Sequence, residues 1–198
     1  MKRVFRGIAA GAVLTAAAAT AVALWLSARY VKAADPSNSE ALRLSRIERG
    51  AYLVTVGGCN DCHTPFKMGE KGPEPDMTRM LSGHPHDLVM PPTTATEGPW
   101  VWRGAGTNTA FAGPWGVSYA RNLTPDPISG IGIWDEARFI KTIRTGKHWG
   151  ESRPIMPPMP WQNYAQMTDE DLKSVYAYLR SIPPIRNEVP DWEPPAKK

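Results

Sequence analysis

Residues 57–63, Gly57-Gly58-Cys59-Asn60-Asp61-Cys62-His63 (GGCNDCH), hold both cysteines of this 198-residue chain. Three chemistries use two thiols and an imidazole at this spacing: a redox disulfide, half of a zinc site, or a covalently attached haem. Zinc needs four ligands, with a second Cys pair or an H-x₃₋₅-H partner. The remaining histidines are His84, His86 and His148, and His84-Pro85-His86 has the wrong spacing. A redox pair needs its first thiol at a helix N-terminus inside a βαβ unit. Here Arg46 to Val56, RIERGAYLVTV, places Ile47, Ala51, Leu53 and Val54 on one helical face and stops at Gly57-Gly58. A helix therefore ends before Cys59. The haem reading uses all three residues: Cys59 and Cys62 form thioethers to the vinyl groups, and the adjacent His63 ligates the iron. A single CxxCH predicts one covalent haem c.

The surrounding charge is uneven. Lys2, Arg3, Arg6, Arg29 and Lys32 precede every acidic residue, leaving 18 Lys and Arg against 19 Asp and Glu from Asp35 onward. The formal charge of +4 is thus a property of the N-terminus. The body has no basic face of the kind nucleic-acid binding needs, which excludes that function class. Gly7 to Ala28 runs 22 residues without a charge behind the basic MKRVFRG. Spanning a bilayer takes about 20 apolar residues, against about 7–15 for the apolar part of a signal peptide. The length favours an inner-membrane anchor through residues 7–28. The alanine content and the small residues of Val31 to Ala34 suit a cleaved signal peptide. Either way, residues 1–34 deliver the body to the periplasmic side of the inner membrane, anchored or soluble.

The remainder divides into a polar linker at 35–45, a domain at 46–186 and a loose Pro-rich tail at 187–198. All 20 prolines lie in these segments. Thr64 to Ile133 is dense in Pro and Gly and shows no sustained period of 3.6 or 2. Proline is poorly tolerated in central strands, so the stretch reads as loop rather than sheet. Yet it carries Trp100, Trp102, Phe111, Trp115 and Tyr119, and disordered segments are poor in aromatics. It reads as ordered loop wrapped around a large apolar ligand. Asp135 caps a helix over EARFIKTIRT that stops at Gly146. Thr168 and Asp171 form an approximate capping box for a last helix whose stripe is Leu172, Val175, Tyr176, Leu179 and Ile182. The expected fold class is all-α: three or more helices with long Pro/Gly-rich loops around one haem.

The sixth iron ligand separates electron transfer from haem chemistry. A His/Met pair closes both axial positions, whereas an open position admits oxygen or peroxide. The stretch RPIMPPMPWQNY offers Met156 and Met159, each followed by a proline that stiffens the loop. Spacing does not choose between them. Arg121 and Asn122 are polar residues amid an apolar loop and are candidates for the haem propionates.

RGAYLVTVGGCNDCHTP resembles the first helix and haem-attachment site of the class I-like c-type cytochromes. GPWGVSYARNLTPDPISGIGIWDEARFIKTIRTGKHWG and PPMPWQNYAQMTDEDLKSVYAYLRSIPP are similar to one haem domain of the cytochrome subunits serving membrane-bound alcohol, gluconate and aldehyde dehydrogenases. In that family a Met-Pro-aromatic segment supplies the axial Met, so the resemblance assigns Met159, with Met156 as runner-up. It implies that the first helix crosses the last, with Gly50 admitting Tyr176 or Tyr178. It also implies a cytochrome c fold and a protein that is not an enzyme. Such a protein shuttles single electrons between a dehydrogenase or quinol-linked complex and an acceptor such as a terminal oxidase. Those subunits carry several haem sites and this sequence has one CxxCH, which suits a one-electron shuttle. The rival is a haem enzyme or sensor, peroxidase or gas-binding, with an open sixth position.

Overall fold

The computed structural model describes residues 36–92 and 99–195. The stretch 7–28 lies outside them, and among the described residues no helix is long and apolar enough to cross a membrane. The chain divides after Ser45 into two units. Helix α1 runs Pro36–Val56. Residues 36–45, expected as a linker, are therefore helical, with Arg43 paired to Glu40 one turn away at 2.8 Å.

In the second unit, beginning at Arg46, four helices follow the last turns of α1: α2 Cys59–His63, α3 Glu136–Thr145, α4 Trp161–Tyr164 and α5 Asp169–Ser181. Five short strands lie between them: β1 Phe66–Gly69, β2 Gly72–Pro75, β3 Arg103–Gly104, β4 Ala110–Gly113 and β5 Gly116–Tyr119. β1 and β2 form an antiparallel hairpin, and β3-β4-β5 a second antiparallel sheet. The fold is thus not all-α: about 37 % is helix and 14 % strand. The proline argument misses these strands because they are short and only β2 contains proline. Pro73 and Pro75 fall two apart on β2, a strand of a two-stranded sheet, so both missing N–H groups can face away from β1.

The helices form where their end signals stand. Asp135 accepts the Arg138 N–H at 2.7 Å and Gly146 closes α3 in the left-handed conformation (φ 62°). Thr168 accepts the Asp171 N–H at 3.1 Å. The box is only half made, because the Asp171 carboxylate pairs with Arg49 at 3.0 Å instead. Leu172, Val175, Leu179 and Ile182 are buried against Leu53, Val54, Leu81, Ile131, Phe139 and Ile143, which together make the main core. Tyr176 flanks it, with its hydroxyl donating to Trp134 O at 2.7 Å.

α1 meets α5 at Gly50. A Cβ there would overlap the carbonyl oxygen of Ser174 and lie 2.7 Å from Tyr178 Cβ. Of the two tyrosines expected at this crossing, Tyr178 is the one in contact. Arg46–Glu170 (3.1 Å) and Arg49–Asp171 bracket the contact with exposed ion pairs.

The expected loose tail is held over residues 187–195. Asn187 and Val189 are buried, and the Asn187 amide donates to Ser82 O (2.7 Å) and His84 O (2.8 Å). Val117 and Glu193 exchange backbone hydrogen bonds at 2.9 Å, extending β5, and the Trp192 indole N–H donates to Trp115 O at 2.7 Å. Composition alone suggests looseness; these specific polar partners overrule it.

Gly50→Ala should lower the thermal midpoint. Overpacking costs about 1–3 kcal/mol and each kcal/mol moves the midpoint by about 2–4 °C at this chain size. Helix propensity alone favours Ala by about 1 kcal/mol, so a raised midpoint would show that the crossing is not limiting.

Candidate haem site

The CNDCH segment is one turn of helix. Gly57 closes α1 with N–H to Leu53 O (2.8 Å), and Gly58 turns the chain at φ 66°. From Gly58 the backbone re-enters a helix, with Asp61 N–H on Gly58 O and Thr64 N–H on Asn60 O. Positions i, i+3 and i+4 share one helical face. Cys59, Cys62 and His63 occupy those positions, so the spacing of the motif becomes a common direction in space.

The turn is fixed from behind. Asn108 Nδ2 donates to Asp61 O (2.7 Å), Gly83 N–H to His63 O (2.8 Å), and the Tyr164 hydroxyl to Gly57 O (2.6 Å). Thr64 is fully buried, donating to Asn60 Oδ1 and accepting the Leu81 N–H at 2.8 Å each.

His63 Nδ1 lies 2.7 Å from Arg121 O. A carbonyl only accepts, so Nδ1 carries the proton and Nε2 keeps its lone pair for a metal. Burial also pushes the His63 pKa down, partly opposed by this hydrogen bond. The neutral imidazole that ligation needs is thus the favoured form.

Cys59, Cys62 and His63 line a cavity of about 320 Å³. Its walls include Leu123, Ile131, Phe139 and Ile143, and Met156 and Met159 line it too. The methionine segment is anchored at several points. Ile155 N–H donates to Gly146 O (2.8 Å), Ser118 Oγ to Pro157 O (2.5 Å), and Asn163 N–H to Pro160 O (3.0 Å). Gly146 is required here for a second reason: a Cβ would overlap the Trp161 indole just after Met159-Pro160. Both methionines reach the cavity.

Arg121 and Asn122 line it as well, with different freedom. The Asn122 amide donates to Ser129 Oγ (3.1 Å) and Ile185 O (2.7 Å), while its oxygen accepts from Thr124 N–H and Oγ1. That side chain builds the 122–129 loop. Arg121 uses Nη1 on the tail carbonyls of Val189 (3.0 Å) and Pro190 (2.9 Å). Two cationic or imidazole residues not singled out in the sequence, His148 and Arg153, line the same cavity. Their one legible signal is proximity to the Met-Pro segment. His84 and His86 lie elsewhere: His84 bonds Thr109 Oγ1 and Leu88 O, each at 2.9 Å, and His86 bonds Asn187.

The residues present fit a covalently attached haem. The thiols are unbonded to each other, and burial pushes the Cys59 pKa up to about 11, with Asp61 and Cys62 adding repulsion. A redox Cys-x-x-Cys has the opposite shift. In the wall, Thr142 Oγ1 is buried with no partner among the described residues, an orphan that a polar ligand edge or a bound water would satisfy.

The family model for cytochrome c matches residues 47–183. The chain belongs to the cytochrome c family. Haem c with its iron is the cofactor of that domain. The chain is 30 % identical to the fructose dehydrogenase cytochrome subunit of Gluconobacter japonicus over 92 % of its own length and 31 % of that subunit. It is 28 % identical to the gluconate 2-dehydrogenase cytochrome c subunit of Pantoea cypripedii, over 84 % of its length and 29 % of the subunit's. A dihaem c-type cytochrome of Cereibacter sphaeroides is 29 % identical over 90 % of this chain and 49 % of that protein. The chain therefore spans between about a third and a half of these relatives, and the resemblance to dehydrogenase cytochrome subunits read from the sequence holds.

Acid should destabilise this cytochrome through its imidazoles. Burial holds the His84 pKa below its ordinary value, and burial with the Arg153 and Arg121 charges pushes His148 down to about 4. Unfolded histidines titrate near about 6.5. Between that pH and about 4 the unfolded chain takes up protons that the folded one refuses, so stability falls on acidification through this window. The thermal midpoint, followed from pH 7 to 4, should drop, and His84→Gln should flatten the drop; an unchanged profile in the variant would contradict the assignment.

Proposed function

We propose that this chain is a monohaem c-type cytochrome on the periplasmic side of the inner membrane. It passes single electrons from a dehydrogenase or quinol-linked complex to a downstream acceptor such as a terminal oxidase, without itself being an enzyme. The observation that carries this reading is the convergence on one cavity of the CNDCH turn, with His63 Nδ1 committed to Arg121 O, and the Met156–Met159 segment. The haem iron supplies a single-electron couple between its ferric and ferrous states.

The chain's residues do the rest. Cys59 and Cys62 would tether the cofactor, and His63 would offer Nε2 to its iron. Met159 would offer the second protein ligand, favoured over Met156 by the Met-Pro-aromatic resemblance at Met159-Pro160-Trp161. A thioether ligand would close the iron to small ligands and raise the potential. Exposed Ile128 and Ile133 lie at the cavity's edge, where a partner protein would approach.

The names of the relatives support a dehydrogenase as electron donor, and the single CxxCH supports one haem. The uncharged stretch 7–28 behind Lys2, Arg3 and Arg6 supports export and, if retained, an inner-membrane anchor.

The weak Met-to-iron charge-transfer band of the oxidised protein tests the ligand set. Met159→Ala should abolish it and lower the potential, while Met156→Ala should leave it in place. The opposite pattern would move the ligand to Met156, and absence of the band in the unaltered protein would refute Met ligation.

A further inference from the structure

Two guanidinium groups and an imidazole, those of Arg121, Arg153 and His148, line the cavity that also holds the CNDCH turn. Their cation balance is incomplete. Arg153 makes one long hydrogen bond, to Pro154 O at 3.5 Å, and has no carboxylate in ion-pair range among the described residues. Arg121 has one acidic neighbour, Asp191, at 3.5 Å, and that side chain is 90 % exposed. Among the described residues, only Nη1 of Arg121 is engaged, on two tail carbonyls and Asp191.

The charges also feel each other. After burial, the Arg153 charge is what lowers the Arg121 pKa, and Arg153 and Arg121 both act on His148. Like charges brought together at a partly buried cavity are costly unless an anion completes the set. Two neighbouring donors that might serve instead are already spent. The Trp192 indole N–H is held by Trp115 O, and both amide hydrogens of Asn122 are used within its loop.

We propose that Arg153, together with Arg121, forms the seat for the two carboxylate arms of the haem, with Arg153 as the principal charge partner. The inference rests on the reading that haem occupies this cavity. A guanidinium matches a carboxylate with two parallel hydrogen bonds, which an ammonium cannot reproduce. The backbone carbonyl of Arg121 meanwhile orients His63, so one residue joins the iron ligand to the carboxylate edge. The tail carbonyls of Val189 and Pro190 keep that side chain in place.

Neutralising the carboxylates removes negative charge that would favour ferric iron. In the holoprotein, Arg153→Gln should therefore lower the midpoint potential. The ferric-to-ferrous ratio at a fixed solution potential should rise about tenfold, about 59 mV for a one-electron couple. Arg153→Lys should recover most of the shift. Lys141→Gln, which removes an exposed cation paired to Glu151, should change the ratio less than twofold. A holoprotein of Arg153→Gln whose ratio stays within twofold of the unaltered protein would overturn the proposal.

If Arg153→Gln fails to accumulate with haem, proton NMR of Arg153→Lys decides. Shifted resonances of the carboxylate-arm methylenes support the seat, and unshifted ones overturn it. Absence of covalent haem in the unaltered protein would instead defeat the underlying reading, so the two failures are distinguishable.

Discussion

The hydrogen bond from His63 Nδ1 to Arg121 O is the constraint on which the site depends. It joins residues 58 positions apart, and it fixes at once the ring's orientation, its tautomer and the nitrogen left for iron. Much of the loop between them serves to make it possible. Gly83 N–H takes His63 O, His84 N–H takes Ala120 O at 2.9 Å, and Leu123 N–H takes Leu81 O at 2.9 Å. The 81–84 segment thus lies as a ladder between the CNDCH turn and the 120–123 segment.

Around this tie, the protein solves a packing problem that three principal helices cannot solve alone. α1, α3 and α5 bury one apolar cluster, and α1 and α5 approach closely only because residue 50 is glycine. The cavity beside that cluster has apolar walls from the loops, so a flat apolar cofactor would complete the interior. Loop order is then maintained by local polar bonding. Asp126 Oδ1 accepts from Ile128 N, Ser129 N and Ser129 Oγ, which also holds its carboxyl below the usual carboxylate range.

How much of this was legible in the sequence depended on the range of the interactions. CNDCH, the caps at Asp135 and Thr168, and the stops at Gly58 and Gly146 are local signals, and the structure reproduces the elements they mark. The methionine pair was legible as chemistry, but both side chains reach the cavity, so geometry leaves the choice to family resemblance. The strands at 66–75 and 103–119 escaped because they are too short to show a period. The tail escaped because its order comes from distant partners: Asn187 on Ser82 and His84, and Glu193 on Val117 and Tyr119. Arg121 was legible as polar in an apolar loop; Arg153 had only its closeness in sequence to the Met-Pro segment, since no spacing connects it to Arg121.

Carbon monoxide binding to the dithionite-reduced protein tests the central claim most directly. An iron closed by His63 and a methionine thioether has no free position, so the ferrous spectrum should remain unchanged on addition of the gas near neutral pH. Prompt conversion to a carbon monoxide complex would show an open or labile sixth site. It would contradict the electron-carrier reading and point instead to ligand chemistry at the iron.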